Sequence, residues 1–461
     1  MTPYHDIRSA AYVKSCFTRH NVPGHRIPAL ATAFQQHAEW ARQHEAYTDE
    51  VPLYSFRIPG RIEVLGKHTD YAGGMSLVCA IEQGLCITAF PSDEPVLTIW
   101  HEDFKTTSIF PLGQLPSTPM QAWETYPLTV LRRLQKNFGA LRGTHLMISG
   151  DLPQAAGMSS SSALMVGLLL ALATVNQLPA HPLWNSQIQD LYDLAMYASR
   201  IENGGTFGKL SGDSGVGTKG GSQDQTAILC CRPDVLSCFS YRPVQPVETV
   251  PIPEGYTFVI AHSGVLAEKA GAAMLRYNRA AQLAHAIPEV WHRATGLQAE
   301  HMGELLSAPG FDLYALWKAI LQHHHPTFSD LDLQDRLDHF MEELRIVQDA
   351  RKALKNNDLP LFGRCVLQSQ HYAEKLLHNQ VDETIFLASK ARTLGALAAS
   401  AFGAGFGGAV WAMVEDEHAA AFTQRWAYEY QLAFPEHQEK AQFFQTHAGP
   451  AAFGLFEGAL V

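Results

Sequence analysis

Basic residues are scarce in this 461-residue chain, 34 Lys and Arg against 45 Asp and Glu, for a net charge of −11 with His neutral. No basic cluster offsets that balance, which argues against a nucleic-acid or anionic-membrane partner. Cysteines are few: Cys16, Cys79, Cys86, Cys230, Cys231, Cys238 and Cys365 are odd in number and lack metal-ligand spacing. A reduced, intracellular setting is the simplest account of them. The N-terminus lacks the apolar core that a signal peptide needs, and no run reaches transmembrane length. The sequence therefore predicts a cytoplasmic protein with no membrane partner. What is present is ordinary for a globular protein. Apolar residues make up 46% and charged residues 17%, enough for large cores, in a chain long enough for two or three domains.

Periodicity outlines the elements. Pro28 to Glu45 has helical spacing of Leu30, Ala33, Phe34, His37 and Trp40. The first 25 residues read as an extension with no evident role. Ile62–Leu65, Leu77–Ala80, Leu85–Phe90 and Leu97–Trp100 read as short strands, close enough for an antiparallel meander. Trp123 to Leu134 reads as a helix, Thr144–Ser149 as a strand, and Ala163 to Val175 and 187–203 as helices. Four prolines in Arg242–Pro253 mark a change of character, which divides the chain into 1–245 and 246–461. Beyond it come a strand at Tyr256–Ala261, a helix through Tyr277, a mostly helical stretch over 284–380 and an apolar run at Ala409–Val414. The run His323-His324-His325 carries no metal expectation. Adjacent side chains on a helix point different ways, and a solvated loop or helix end accounts for it.

Three glycine-rich stretches carry the chemistry. The first, Ile58 to Gly74, places Arg61, Lys67, His68 and Asp70 on the turn after a strand, a common way to present side chains to a small ligand. A solvated hairpin tip would look similar. The second, Pro153-Gln154-Ala155-Ala156-Gly157-Met158-Ser159-Ser160-Ser161-Ser162-Ala163, follows a strand and opens a helix. Its glycine permits close backbone approach, its serines supply hydroxyls, and the helix start aims unpaired N–H groups and positive charge at one point. That is an anion site, and a triphosphate suits it. A serine N-cap would explain one hydroxyl but not four in a row. The Gly-Lys-Ser/Thr ending of a Walker A loop is missing. The third stretch, Gly403-Ala404-Gly405-Phe406-Gly407-Gly408, precedes a strand and can pack flush against a neighbour. Another glycine-rich segment, between Asn203 and Ser222, reads as mobile or as a lid and runs into Gly220-Gly221-Ser222-Gln223-Asp224-Gln225.

Taken in order, these stretches resemble the sugar-kinase branch of the GHMP kinases, and most closely the galactokinases. The first is similar to the galactokinase signature G-R-V-N-L-I-G-E-H-T-D-Y-N-G-G, the second to the family's phosphate loop, and the third to its C-terminal glycine motif. The resemblance implies a two-domain α+β GHMP kinase fold, with a ribosomal-S5-like N-terminal domain and a ferredoxin-like C-terminal domain. ATP and sugar would meet in the cleft between them. It implies transfer of the γ-phosphate of ATP to a sugar hydroxyl, the anomeric one of galactose or a related sugar, with Mg²⁺. Monomer and homodimer both stay open. By the same resemblance Asp224 is the catalytic aspartate, and Arg61 keeps it ionised and stabilises charge on the transferred group. Gly157, Ser159, Ser160, Ser161 and Ser162 would bind ATP, Ser161 and Glu202 the magnesium ion, and Lys67, His68, Asp70 and Tyr277 the sugar. An ordinary ion pair is the alternative for Arg61 and Asp224, and a solvated helix end for Glu202.

Some residues depart from the family pattern. Lys67 stands where galactokinases place a glutamate, and an ammonium there would suit an acidic sugar, a uronate or a sugar phosphate. Lys67 could instead turn to solvent or pair with Glu63. The Gln-Asp-Gln at 223–225 resembles the heptose and fucose kinase branch rather than the Met-Asp-Gln of galactokinases. Ala399-Ser400-Ala401-Phe402 replaces a basic residue and Met-Thr. A competing reading is a sensor that binds sugar and ATP without turnover. The presence of Asp224, Arg61 and the serine loop weighs against it.

Overall fold

The computed structural model describes residues 7–44, 47–48, 50–102, 105–153, 157–266, 271–456 and 460. The N-terminal extension contains a helix, α1 (Ala10–Arg19), whose N-cap Ser9 hydroxyl accepts from the Tyr12 N–H. It packs on α2 (Ile27–Arg42) through Val13, Phe17, Leu30 and Phe34, and the pair covers Cys86, Phe453 and Leu455.

The first sheet has eight strands. They are β1 (Tyr54–Leu65), β2 (Met75–Ser92), β3 (Val96–His101), β4 (Thr106–Pro111), β5 (Gly143–Gly150), β6 (Val235–Ser240), β7 (Gln245–Pro251) and a late strand at Phe453–Gly454. β1 runs on through Pro59 and Gly60 instead of starting at Ile62. A register shift lets the Arg61 N–H leave the ladder and donate to the Met158 carbonyl in the serine-rich loop. β2 is likewise one strand instead of two, because Gly84 pairs with Pro59 so closely that a side chain would strike the Ile58 carbonyl. Its first part pairs with β6 and its last with β5. The meander expectation fails in one respect: β5 lies between β2 and β3 and runs parallel to β3.

Helices α3 (Thr125–Phe138), α4 (Ser160–Val175), α5 (Pro182–Gln187), α6 (Leu191–Asn203) and α7 (Gln223–Cys230) complete this domain. α4 is buried nearly all round, the form expected of a helix that is apolar on every face. β7 belongs to the first sheet, so that sheet continues to Pro251 rather than ending at 245. Among the described residues β7 pairs only with β6, and an edge strand tolerates Pro246 and Pro251.

The second sheet is antiparallel and built from β8 (Tyr256–His262), β9 (Ala398–Phe402), β10 (Ala409–Glu415) and β11 (Gln442–Thr446), in the order β11-β8-β10-β9. Between β8 and β9 run α8 (Gly271–Thr295), α9 (Met302–Ser307), α10 (Leu313–His323), α11 (Asp330–Lys355), α12 (Leu359–Lys375) and α13 (Asp382–Thr393), and α14 (Ala419–Ala433) follows β10. His323 ends α10, while His324 and His325 lie beyond it against Asp330 and Glu289. The cysteines are free thiols, and among the described residues no helix is long and apolar enough to cross a membrane.

Candidate active site

Loops from both domains converge on one cavity of about 340 Å³. One end of it is the start of α4. Ser159 adopts a left-handed conformation (φ 60°), and α4 begins at Ser160, so the serines after it form the first helical turn. Gly157, Ser159, Ser160 and Ser161 line the cavity, while Gln154, Ala155 and Ala156 fall outside the described residues. Consecutive helical side chains diverge by about 100°. Ser162 therefore points inward, and its hydroxyl lies 2.8 Å from Glu202 Oε2 and 3.4 Å from Asp224 Oδ2. Gln225 Nε2 donates to the same Glu202 oxygen at 2.6 Å. Glu202 thus meets Ser162 rather than Ser161, which faces the cavity.

Asp224 is the second residue of α7. Arg61 reaches its Oδ1 with Nε at 2.9 Å and a terminal nitrogen at 2.8 Å, while the other terminal nitrogen donates to the Gly157 carbonyl at 2.5 Å. Burial alone would lower the Arg61 pKa, but Asp224 and then Glu63 more than offset this and raise it. The guanidinium lies 5.8 Å over the Phe402 ring, so it touches the second domain as well.

Elsewhere along the cavity, the turn after β1 depends on Gly66. Its φ is +100°, and a Cβ there would fall 2.4 Å from Ser76 Cα. His68 is buried. Its Nε2 donates to the Ala404 carbonyl at 3.1 Å, which leaves Nδ1 to accept from the Tyr71 hydroxyl at 2.8 Å. Burial, followed by the Arg336 charge, lowers its pKa to about 3, so the imidazole is neutral. The Asp70 carboxylate accepts from the Gln223 N–H at 3.0 Å. A Cβ on Gly221 would lie 2.2 Å from that carboxylate, so only glycine lets the loop before α7 pack there. Burial pushes the Asp70 carboxyl up, and burial with Asp70 nearby pushes Tyr277 well up. His68, Asp70 and Tyr277 all line the cavity.

Lys67 does not line it. The side chain is buried, and Nζ donates to the Ser369 hydroxyl at 2.8 Å. Ser369 donates in turn to Glu343 Oε1 at 2.9 Å, which also accepts the N–H groups of Gly66 (2.7 Å) and Lys67 (3.1 Å). The ammonium therefore meets neither a cavity ligand, nor solvent, nor Glu63 in a direct bond. Its position across from α11 and α12 explains why: the turn sends His68 to the cavity and Lys67 behind it.

Sequence reasoning missed two parts of the site. One is Glu63, which lines the cavity and accepts from Gln223 Nε2. Burial pushes its carboxyl up to about 7, against the opposing pull of Arg61 and Lys67. A signal existed, since the galactokinase signature has asparagine at this place. The other is an aromatic and apolar end formed by His101, Trp123, Tyr126, Leu85, Leu152 and Leu164. Nothing in the local pattern of those residues shows that they share a wall.

Comparisons with known proteins agree with this arrangement. Residues 125–232 match the family model of the GHMP kinases N terminal domain, 350–431 that of the GHMP kinases C terminal, and 42–91 the galactokinase galactose-binding signature. The chain is 26% identical over 377 residues to a galactokinase of Roseiflexus sp., covering 80% of this chain and 86% of that protein. A Pyrococcus furiosus galactokinase is 28% identical over 386 residues, covering 84% and 95%. The crystal structure of Lactococcus lactis galactokinase complexed with galactose superposes with a TM-score of 0.73 at 22% identity, over 91% of this chain and 99% of that one. A D-glycero-D-manno-heptose 1-phosphate kinase from Bacteroides thetaiotaomicron shares the fold with a TM-score of 0.53 at 13% identity, over 87% and 98%. The chain belongs to the GHMP kinases, with their two-domain fold. Within that superfamily it is a sugar kinase of the galactokinase type, an ATP-dependent phosphotransferase acting on a hydroxyl.

Proposed function

We propose that the acceptor is the anomeric hydroxyl of a neutral hexose, with galactose the leading candidate. The observation that carries this reading is the charge at the sugar end of the cavity. Glu63, Asp70 and Asp224 face it with a single cation, Arg61, already bound to Asp224. A uronate or sugar phosphate would meet carboxyl groups there, and the Lys67 ammonium that would suit it is engaged with Ser369. A polyol supplies donors to those carboxylates instead. The Lactococcus relative carries galactose in its crystal structure, which points to the same class of sugar.

Asp224 is the group that accepts or orients the proton of the attacking hydroxyl. Arg61 pairs with it and lies where it can stabilise charge on the passing phosphoryl group. The first-turn N–H groups of α4 and the hydroxyls of Ser159, Ser160 and Ser161 hold the phosphates. Trp123 and Tyr126 offer flat faces that suit an adenine ring. A hard cation takes carboxylate and hydroxyl oxygens, and Glu202, Ser161 and Ser162 offer both at the phosphate end, so the residues fit magnesium. When bound, it neutralises charge on the phosphates. The free thiols fit a reducing, cytoplasmic location.

The test is ATP consumption across free neutral sugars, uronates and sugar phosphates, with the product's phosphorylated carbon read by NMR. Turnover of galactose to the anomeric phosphate is expected. Turnover confined to acidic sugars would replace the neutral-hexose reading, and sugar and ATP binding without turnover would make the chain a sensor.

A further inference from the structure

Glu63 stands two residues after Arg61 on β1, so both side chains project from the same face of the strand toward the cavity. Only 3% of Glu63 is exposed, yet its Oε1 has no partner among the described residues. The other oxygen is held by Gln223 Nε2, and the Gln223 Oε1 is also buried without a partner among those residues. Buried acceptors left unpaired cost stability, and in native proteins they point to a missing donor. Two such acceptors in one hydrogen-bonded pair, lining a cavity, suit a ligand rich in hydroxyl donors. The galactokinase patterns carry asparagine and methionine at these two places. Neither could make this carboxylate–amide bond with its neighbour's counterpart. Burial holds the Glu63 carboxyl up at about 7 against the pull of Arg61 and Lys67, and a bound hydroxyl donor would favour the ionised form.

We infer that Glu63, oriented by Gln223, is a specificity-determining residue whose Oε1 accepts a hydrogen bond from a sugar hydroxyl other than the one phosphorylated. This rests on the sugar-kinase reading above. A site built to bind a hydroxyl rejects the analogue that lacks it far more strongly than an apolar site would.

The experiment measures kcat and KM for galactose and its 2-, 3-, 4- and 6-deoxy analogues in wild type and in Glu63→Leu. Wild type should lose at least about tenfold in kcat/KM for one deoxy position, and Glu63→Leu should lose that discrimination. The variant's sugar KM should rise about ten- to a hundredfold while its ATP KM stays within about threefold. Glu63→Asn keeps a polar group in the buried site and is too short to reach, so it reads the same discrimination if Glu63→Leu does not fold. Equal deoxy penalties in an active wild type and an active variant would overturn the assignment of Glu63 alone. A wild type that turns over no sugar would overturn the kinase reading, and the assignment with it.

Discussion

At the scale of single residues, Arg61 and Asp224 meet in the cavity, and the chemistry proposed above is assigned to that pair. It was legible in the sequence because each partner sits in a motif whose neighbours, Gly60 and Gly221, are needed for close packing. Asp224→Asn should leave ATP affinity nearly intact and lower kcat at least about a hundredfold, the scale of losing a positioned base. Near-normal turnover in that variant would remove Asp224 from the mechanism. Glu63 was not legible as a site residue, because a carboxylate in a strand reads as an outward-facing residue until the sheet that buries it is known. Its protonation adds a second prediction. The folded pKa of about 7 lies above the ordinary carboxylate value of 4.5. The native state therefore binds this proton more tightly than the unfolded chain does. The associated stability is present at low pH and is lost as pH rises through about 7. Between about pH 5 and about pH 8 wild type should lose stability relative to Glu63→Gln, on the order of 1–3 kcal/mol, read by urea unfolding at both pH values. An unchanged difference would mean that Glu63 titrates as an ordinary surface carboxylate.

At the scale of elements, α11 holds the turn after β1 in place. Arg336 donates to the His68 carbonyl at 2.5 Å and packs its guanidinium against the Tyr71 ring, while Glu343 binds the backbone of Gly66 and Lys67. None of this could be read locally, since Glu343 lies 276 residues from Lys67. Long β1 and β2 were misread for a related reason: Gly60 and Gly84 look like breaks but are points of close backbone contact. The helices, by contrast, followed their periodicity more closely, although the one expected over 187–203 begins only at Leu191. Lys67→Glu would place a second carboxylate beside Glu343 and remove the cation that reaches it through Ser369. Breaking a buried charge network in this way costs about 3–5 kcal/mol. The variant should be strongly destabilised rather than redirected toward another sugar, and Lys67→Glu combined with Glu343→Lys should recover part of the loss. Thermal unfolding of the three proteins decides it. A stable Lys67→Glu with altered sugar preference would show that Lys67 does reach the substrate.

At the scale of the whole molecule, the site exists only because both domains close on it. The third glycine motif belongs to the second domain, yet Gly403 packs against Gly157 and Arg61, and the Ala404 carbonyl accepts from His68. The chain also returns to its start, where Phe453–Gly454 pairs with β1 at one edge of the first sheet. The N-terminal extension, opaque in the sequence, acquires its role from that return. Phe17 is fully buried, with its ring 5.9 Å from Phe34 and 6.1 Å from Phe453, so α1 clamps the last strand to the first. No residue of that cluster lines the cavity. A substitution there should thus separate stability from catalysis. Phe17→Ala removes a buried ring and should cost about 3–5 kcal/mol, lowering Tm by at least a few degrees. Below that transition the KM values for sugar and ATP and kcat should stay within about twofold of wild type, since β1 would still be held by its full ladder to β2. A KM for either substrate that moved beyond that range, with Tm unchanged, would mean that the extension acts on the site and not on the fold.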